Sequence, residues 1–110
     1  KIGTLFVVTG QIKNEYKHPR RFIRITGKIY KKGRALVKTE TIYCGNLLSE
    51  TELKSLSHVG ITKRLKNRFG DKRINMKVNE GQALQFMIVF PNVPSGLEEY
   101  SVQVAGSEKS

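Results

Sequence analysis

The chain of 110 residues has few of the residues that build covalent cross-links and metal sites. It contains one cysteine, Cys44, which excludes an internal disulfide and any cysteine-rich zinc site. Asp71 is its one aspartate, and a calcium loop needs several Asp or Asn oxygens in one short turn. The two histidines, His18 and His58, are far apart in the chain. We therefore expect the chain to hold no metal ion and no cofactor.

A nucleophilic site would have to use Cys44, the one thiol of the chain. A cysteine nucleophile needs an oriented base and an amide pocket for the oxyanion, whereas a free cysteine is more often a small buried hydrophobic residue. The glutamate pairs Glu50/Glu52 and Glu98/Glu99 fit a helix start and a strand entrance better than acid–base work. We predict that the chain is not an enzyme.

Long apolar runs are also missing, since no run approaches the roughly 20 residues that span a bilayer. The first residues lead directly into strand-like sequence, without the features of a signal peptide. A hydrophobic fraction of 38% argues against disorder, and the length fits one domain. We predict a single domain over residues 1–106 and a frayed tail over 107–110.

Positive charge is abundant: 20 Lys and Arg face 9 acidic residues, which gives a net charge of +11. Residues 13–38 carry ten of the basic residues and one Glu, and residues 54–73 carry seven and Asp71. Such a field attracts polyanions such as nucleic acid or anionic lipid headgroups. The default interpretation is a solvated surface that keeps the domain in solution.

Apolar and polar residues alternate in several segments that are rich in β-branched side chains, which is typical of half-buried strands. The predicted strands are residues 4–14, 21–32, 35–43, 74–78, 82–90 and 99–106. Residues 31–34 contain Gly33 and predict a tight turn that closes a hairpin. The segment 82–90 is apolar on both faces, which predicts a central position.

In the middle of the chain the spacing of apolar residues changes from the strand period to the helix period. Ser49 and Glu52 have the spacing of a capping box, in which each side chain bonds the other residue's backbone amide. Ile61, Leu65 and Phe69 recur every four residues, which predicts an amphipathic helix that ends at Gly70. About six strands with a helical insertion near residues 49–69 indicate a β-sandwich, and a small closed barrel is the alternative.

One feature of the insertion is able to bind a ligand, because basic residues fill the polar faces of the predicted helix and continue beyond it. This candidate basic surface consists of Lys63, Arg64, Lys66, Arg68, Lys72 and Arg73. A helix that contacts phosphates in this way binds with a steep salt dependence. Aromatic residues do not interleave with these charges in the way that stacks single-stranded bases, since Phe69 belongs to the apolar stripe, so nucleic acid is the disfavoured polyanion.

Several of these segments resemble an uncharacterised bacterial family. The similar segments are residues 5–14 (LFVVTGQIKN), 22–30 (FIRITGKIY), 43–46 (YCGN), 67–70 (NRFG), 90–94 (FPNVP) and 100–104 (YSVQV). The family is the C-terminal domain of unknown function of bacterial zinc-ribbon, single-pass membrane proteins. The pattern V-x-G-x-I-x-N from Val8 to Asn14 is also similar to FxLYD-type envelope domains, which are immunoglobulin-like.

The resemblance implies an immunoglobulin-like β-sandwich of about six to seven strands and supports the sandwich over the barrel. It also implies an extracytoplasmic position on the periplasmic side, anchored to the inner membrane by a helix outside this segment. The family has no catalytic signature, and its zinc-ribbon cysteines do not occur in this chain.

Together these observations predict a non-catalytic extracytoplasmic binding module of a membrane-anchored protein. Its partner would be a protein or an anionic envelope component. The alternative is electrostatic binding of nucleic acid or anionic lipid through residues 61–73.

Overall fold

The alternating segments form the strands of a mainly β structure, seen in a computed structural model that describes residues 5–110. The strands are β1 (Leu5–Lys13), β2 (Arg20–Lys31), β3 (Ala35–Tyr43), β4 (Ala83–Pro91) and β5 (Leu97–Lys109). Two short helices, α1 (Glu50–Ser55) and α2 (His58–Leu65), lie between β3 and β4. The prediction of a mainly β chain with a helical insertion is confirmed.

The strands form two antiparallel sheets, which gives the sandwich-like arrangement that the sequence predicts. Sheet A consists of β1 and β4, with Phe6 opposite Phe90 and Ile12 opposite Leu84. Sheet B has the order β3-β2-β5. Residues 5–110 contain five strands, fewer than the six to seven that were expected.

The core lies between the two sheets. Leu84, Phe86, Ile88 and Phe90 of β4 are all buried in it. Gly27 of β2 is also buried, and a Cβ added there would lie 2.7 Å from Cδ1 of Ile88, so the close approach of the sheets requires glycine. The other face of β4 is buried as well, at Met87 and Val89, and α2 packs against this strand. Both faces of this apolar segment are therefore buried as expected, although within the two-stranded sheet A it is not a central strand.

The capping box predicted at the start of the insertion is present. The Ser49 hydroxyl accepts a hydrogen bond from the Glu52 amide, at 3.1 Å, and Glu52 Oε1 accepts from the Ser49 amide, at 2.9 Å. Ile61 and Leu65 are buried on α2 as expected.

Phe69, in contrast, does not continue the helical stripe. The helix ends at Leu65, because the Asn67 side chain accepts a hydrogen bond from the Phe69 amide, at 3.2 Å, and so competes with the helical pattern.

The strand predicted over residues 74–78 is wrong. Lys72 and Arg73 have φ angles of 55° and 59°, which lie in the left-handed region, and the chain forms a short 3-10 turn over Asp71–Arg73. Only Val78 makes a strand-like contact in this segment, an isolated bridge to Arg20. The apolar alternation of this segment does not match its burial, because Ile74 is exposed whereas the polar Asn75 is buried.

The two ends of the described chain also differ from the expectation. The tail predicted over 107–110 is ordered, because β5 continues to Lys109 and the Ser110 amide donates to the Pro19 carbonyl, at 3.1 Å. Residues 1–4, which belong to the predicted domain and include the first residue of the predicted strand 4–14, lie outside the described residues. The predicted hairpin between β2 and β3 is confirmed, with Gly33 at a φ of 82°.

Candidate anion-binding site

The six residues of the candidate basic surface differ in their partners. Arg64 is turned toward acidic residues: its guanidinium pairs with Glu52 and lies 3.5 Å from Asp71. It also donates to the Leu47 carbonyl, at 3.2 Å. The backbone hydrogen bond from Ser49, followed by the bond from Arg64, holds the pKa of Glu52 below its usual value. Arg64 therefore ties the insertion together, and its charge is matched by two carboxylates.

The three lysines of the surface also have different surroundings. Lys66 donates to the Thr41 carbonyl at the end of β3. Lys63 is exposed on α2 and lines a shallow patch with His58, Val59 and Thr62. Lys72 is exposed in the left-handed turn after Gly70. The face of the helix is thus a solvated surface with charges in different surroundings.

Arg68 and Arg73 belong to a different group, which also includes an arginine that the sequence analysis did not select. The guanidinium carbon of Arg68 lies 4.8 Å from the ring centre of Phe22 and 5.1 Å from that of Phe69. Arg73 lies 4.8 Å from the Phe69 ring, and Arg21 lies 4.9 Å from the Phe22 ring. These five residues, Arg21, Phe22, Arg68, Phe69 and Arg73, are the arginine–phenylalanine cluster.

Arginine and phenylalanine alternate through the contacts of this cluster. The two rings contact each other edge to face, with their centres 5.8 Å apart. A guanidinium over an aromatic ring is attracted by the ring quadrupole, by about 0.5–2 kcal/mol depending on exposure. The rings face arginine side chains, so this pairing differs from the interleaving that stacks single-stranded bases. Each of the three guanidinium groups thus lies over at least one of two rings that contact each other.

A β-bulge places Phe22 in the cluster. Arg21 is opposite Glu108 and Arg24 is opposite Gly106, so β2 has one more residue than β5 in this interval. Phe22 has a φ of 52°, in the left-handed region that a bulky residue rarely adopts. Both Phe22 and Ile23 are buried as a result, although consecutive residues of a regular strand point to opposite faces.

Asn75 joins the two halves of the cluster. The backbone amide of Asn75 donates to the Phe69 carbonyl, at 2.7 Å, and the backbone carbonyl of Asn75 accepts from the Phe22 amide, at 2.9 Å. Its side chain is fully buried, accepts from the Ile23 amide and donates to the carbonyls of Ile23 and Cys44. Asn75 is therefore the positioning residue that fixes the two phenylalanines relative to each other.

Two glycines allow the segments that carry the cluster to approach each other. Gly70 has a φ of 73°, and a Cβ there would lie 3.1 Å from the Cys44 carbonyl oxygen. Gly45 has a φ of 93°, and its carbonyl accepts from the Asp71 amide, at 2.9 Å. Residues 43–46 and 67–70, two of the segments that carry the family resemblance, are thus in direct contact.

The cluster has an excess of positive charge. Glu108 is the carboxylate that pairs with it within residues 5–110, at 3.8 Å from Arg21 Nη2. The Arg21 Nε atom is buried and has no protein hydrogen-bond partner among the described residues. Guanidinium groups present planar, two-pronged donors that match phosphate and carboxylate oxygens. An anion at this cluster would gain bidentate donors and relieve the repulsion between the three cations.

The cysteine and the two histidines, the residues that a nucleophilic site would use, lie in three different parts of the fold. The Cys44 side chain is fully buried, and burial raises the pKa of its thiol to about 12. His18 lies in the loop before β2, beside Tyr16, and His58 is exposed at the start of α2. In residues 5–110 no group of three or more His, Cys, Asp or Glu side chains is placed to hold a metal ion.

No helix in the described part of the chain is long and apolar enough to cross a membrane. Comparisons with family models, curated proteins and solved structures gave no match for this chain. The family resemblance and what it implies therefore stay predictions.

Proposed function

We propose that the chain is a non-catalytic binding module that holds a phosphate-bearing anionic ligand at the arginine–phenylalanine cluster. The observation that carries the proposal is the convergence of Arg21, Arg68 and Arg73 on two phenylalanine rings, with one carboxylate near them. Surface arginines that only maintain solubility have no need to be held together against their mutual repulsion.

The backbone around the cluster supports this proposal. Phe22, Lys72 and Arg73 all have φ angles between 52° and 59°. Non-glycine residues in such sparsely populated conformations cost of order 1–3 kcal/mol each, and they occur preferentially at ligand sites and other functional positions. Here the strained residues are those that direct Phe22 and Arg73 into the cluster.

Phosphate is the ligand chemistry that best fits the donors. Three guanidinium groups offer up to fifteen N–H donors in fixed forks, which suits a group with several equivalent oxygens better than a single carboxylate. The rings are covered by the arginines and so are less suited to stacking on bases. This favours a phosphate group itself, free or on a lipid headgroup, over single-stranded nucleic acid.

The helix-based alternative, polyanion binding through residues 61–73, has weaker support. Arg64 is paired with Glu52 and Asp71, and Lys66 bonds the Thr41 carbonyl. Of the six residues in that hypothesis, Arg68 and Arg73 remain at a place where cations converge.

The proposal includes the position and finer fold that the family resemblance implies. The domain would be immunoglobulin-like and extracytoplasmic, and a helix outside this segment would anchor it to the inner membrane. Such a position would bring the cluster to anionic envelope components, including phospholipid headgroups. Proteolysis of the full-length protein in spheroplasts, with intact cells as the control, tests the position.

The binding proposal is tested by calorimetric titration with pyrophosphate and by co-sedimentation with vesicles. Vesicles of phosphatidylcholine alone are compared with vesicles that also contain phosphatidylglycerol. We expect Arg68→Gln to weaken binding about tenfold, because a charge-assisted hydrogen bond contributes about 1.5–3 kcal/mol. Binding should also weaken as salt rises, since exposed charges are screened.

Lys63→Gln is the matched control, because it removes the same charge from the exposed face of α2. It should change affinity by less than about twofold. Binding to both probes supports a phosphate site, and binding to anionic vesicles alone assigns the phosphate to a lipid headgroup. No binding to either probe, or equal losses in both variants, would overturn the proposal.

A further inference from the structure

The two sheets of the sandwich have different numbers of strands, so they do not cover each other completely at one edge. Sheet B has three strands and ends at β5, whereas sheet A has two strands and ends at β1. Within residues 5–110, β1 pairs with β4 alone and β5 pairs with β2 alone. On the opposite side of the sandwich β3 contacts β4, so that side is closed.

The apolar side chains of β5 are exposed in consequence. Tyr100, Val102 and Val104 are opposite Ile29, Gly27 and Ile25 of β2, so they lie on the face of sheet B that packs on sheet A. Their partners on β2 are buried, yet the three β5 residues are 53%, 36% and 57% exposed. At one end of this stripe the Tyr100 ring contacts the Phe6 ring of β1 edge to face, with their centres 5.9 Å apart. Beyond it, Val102 and Val104 lie on the interior face by their register but are left exposed.

A cavity of about 300 Å³ continues this stripe between β1 and the loop that leads to β2. Ile12, Ile23 and Val104 form its apolar part. Lys13, Glu15, Tyr16 and Arg20 contribute to its lining, and Arg20 is held by Ser107 and by the Tyr16 ring. The stripe and this cavity together are the β1–β5 cleft.

We propose that the β1–β5 cleft binds an extended peptide segment of a partner protein, which adds a strand to the outer edge of β1. Apolar side chains at alternate positions of the peptide would cover Val102 and Val104 and enter the cavity. Acidic residues at its start would face Lys13 and Arg20. This is strand addition, in which backbone hydrogen bonds supply affinity and alternate side chains supply specificity.

Charge selects this occupant over a second copy of the chain. The protein carries a net charge of +11, so two copies repel each other, whereas an acidic peptide is attracted. Lys13 and Arg20 put two cations against Glu15 at the end of the cleft where an antiparallel peptide would begin. The added strand would also give sheet A the same number of strands as sheet B.

The probe is a blocked nonapeptide, acetyl-Asp-Asp-Thr-Val-Thr-Val-Thr-Val-Thr-amide, which matches the nine residues of β1. Binding is followed by NMR titration of the backbone amides of the protein. We expect saturable shifts in β1 and β5, and at least about tenfold weaker binding to Val104→Gln, which places a polar amide in the apolar stripe without adding a cation that would attract the acidic peptide.

Val59→Gln is the control variant, because Val59 is 77% exposed on α2, outside the cleft, and should leave affinity within about twofold. A control peptide with lysines in place of the aspartates should bind more weakly. Both variants are first shown to unfold cooperatively in urea.

Failure of the peptide to bind a folded protein at millimolar concentration would overturn the proposal. So would cleft shifts that depend on protein concentration without peptide, which would assign the cleft to a second copy. Displacement of the peptide from the cavity by laurate, with tighter binding of laurate, would assign it to an amphiphile instead. The cleft shares no residue with the arginine–phenylalanine cluster, so this test and the phosphate test fail independently.

Discussion

Cys44 shows how one buried residue is controlled by its surroundings. It follows β3 directly, and its backbone amide donates to the Ile23 carbonyl, at 2.9 Å. The thiol is buried in the core with Leu48, Ile61 and Leu65. Burial disfavours the thiolate, which is the nucleophilic form, and raises the pKa from 9.0 to about 12. At neutral pH this cysteine therefore acts as a small apolar side chain.

The raised pKa predicts a pH dependence of stability. Below pH 9 the thiol is protonated in both the folded and the unfolded state, so its full contribution to the free energy of unfolding is present. Between pH 9 and about 12 the unfolded thiol ionises while the folded one keeps its proton, so the free energy of unfolding falls as pH rises. The fall attributable to Cys44 approaches about 1.4 kcal/mol per pH unit.

Urea unfolding at several values between pH 8 and about pH 10.5 measures this effect. Cys44→Ala is the reference, because it retains every other group that titrates in this range. The difference in stability between the two proteins should shrink as pH rises. Curves that run parallel would show that the thiol ionises equally well in both states.

The irregular segment after α2 shows how loops position regular elements. Residues 66–82 contain no strand, yet Asn75 and Val78 within them are buried. Asn75 forms hydrogen bonds with Ile23 in the bulge of β2, with Cys44 after β3 and with the Phe69 carbonyl. These bonds replace the backbone pairing that a strand would provide. The segment is thereby held across the core without belonging to either sheet.

We predict that Asn75→Ala lowers the free energy of unfolding by about 3 kcal/mol or more. The change leaves the Ile23 amide and the Cys44 carbonyl buried without their partners, at about 1–3 kcal/mol for each. Asn79→Ala, in the exposed turn that follows, should change stability by less than about 0.5 kcal/mol. Urea unfolding measures both.

Asn75→Ala should also loosen the arginine–phenylalanine cluster. The backbone bonds of residue 75 to Phe22 and Phe69 remain possible, but the side-chain bonds to Ile23 and Cys44 that hold residue 75 in place are lost. Pyrophosphate binding should therefore weaken in this variant although none of the three arginines is changed. Unchanged stability together with unchanged binding would contradict the positioning role of Asn75.

At the scale of the whole molecule, electrostatic repulsion opposes the compact state. The net charge is +11, and five ion pairs between exposed or half-exposed groups are present in the described residues. Exposed pairs contribute about 0–1 kcal/mol each, so they offset only part of the repulsion. Three of the cations contact the two rings of the arginine–phenylalanine cluster, with Glu108 as the one carboxylate paired there among the described residues.

Stability should therefore rise with salt. Raising sodium chloride from about 10 to about 150 mM shortens the screening length from about 30 to about 8 Å, which weakens repulsion across the molecule. We expect the urea midpoint to increase, and to increase less in Arg73→Gln than in the unchanged protein. Thermal unfolding at the same salt concentrations is the second measurement. A midpoint that falls with salt would mean that the ion pairs outweigh the repulsion.

The amino-acid sequence by itself determined the features that depend on neighbouring residues. The alternation in β1, β2 and β4, the turn at Gly33 and the capping box of Ser49 and Glu52 are all decided within a few residues. Hydrophobic period, turn conformation and helix capping are local effects, so their patterns are readable along the chain. The mainly β, sandwich-like fold follows from them.

Only the tertiary structure decided which charges meet. Arg21 and Phe22 are separated in sequence from Arg68, Phe69 and Arg73 by more than forty positions. Their contact depends on a bulge in β2, a left-handed turn after Gly70 and the buried side chain of Asn75. Each of these departs from the regular period of its element, and a sequence pattern shows a period but not the place where tertiary packing breaks it.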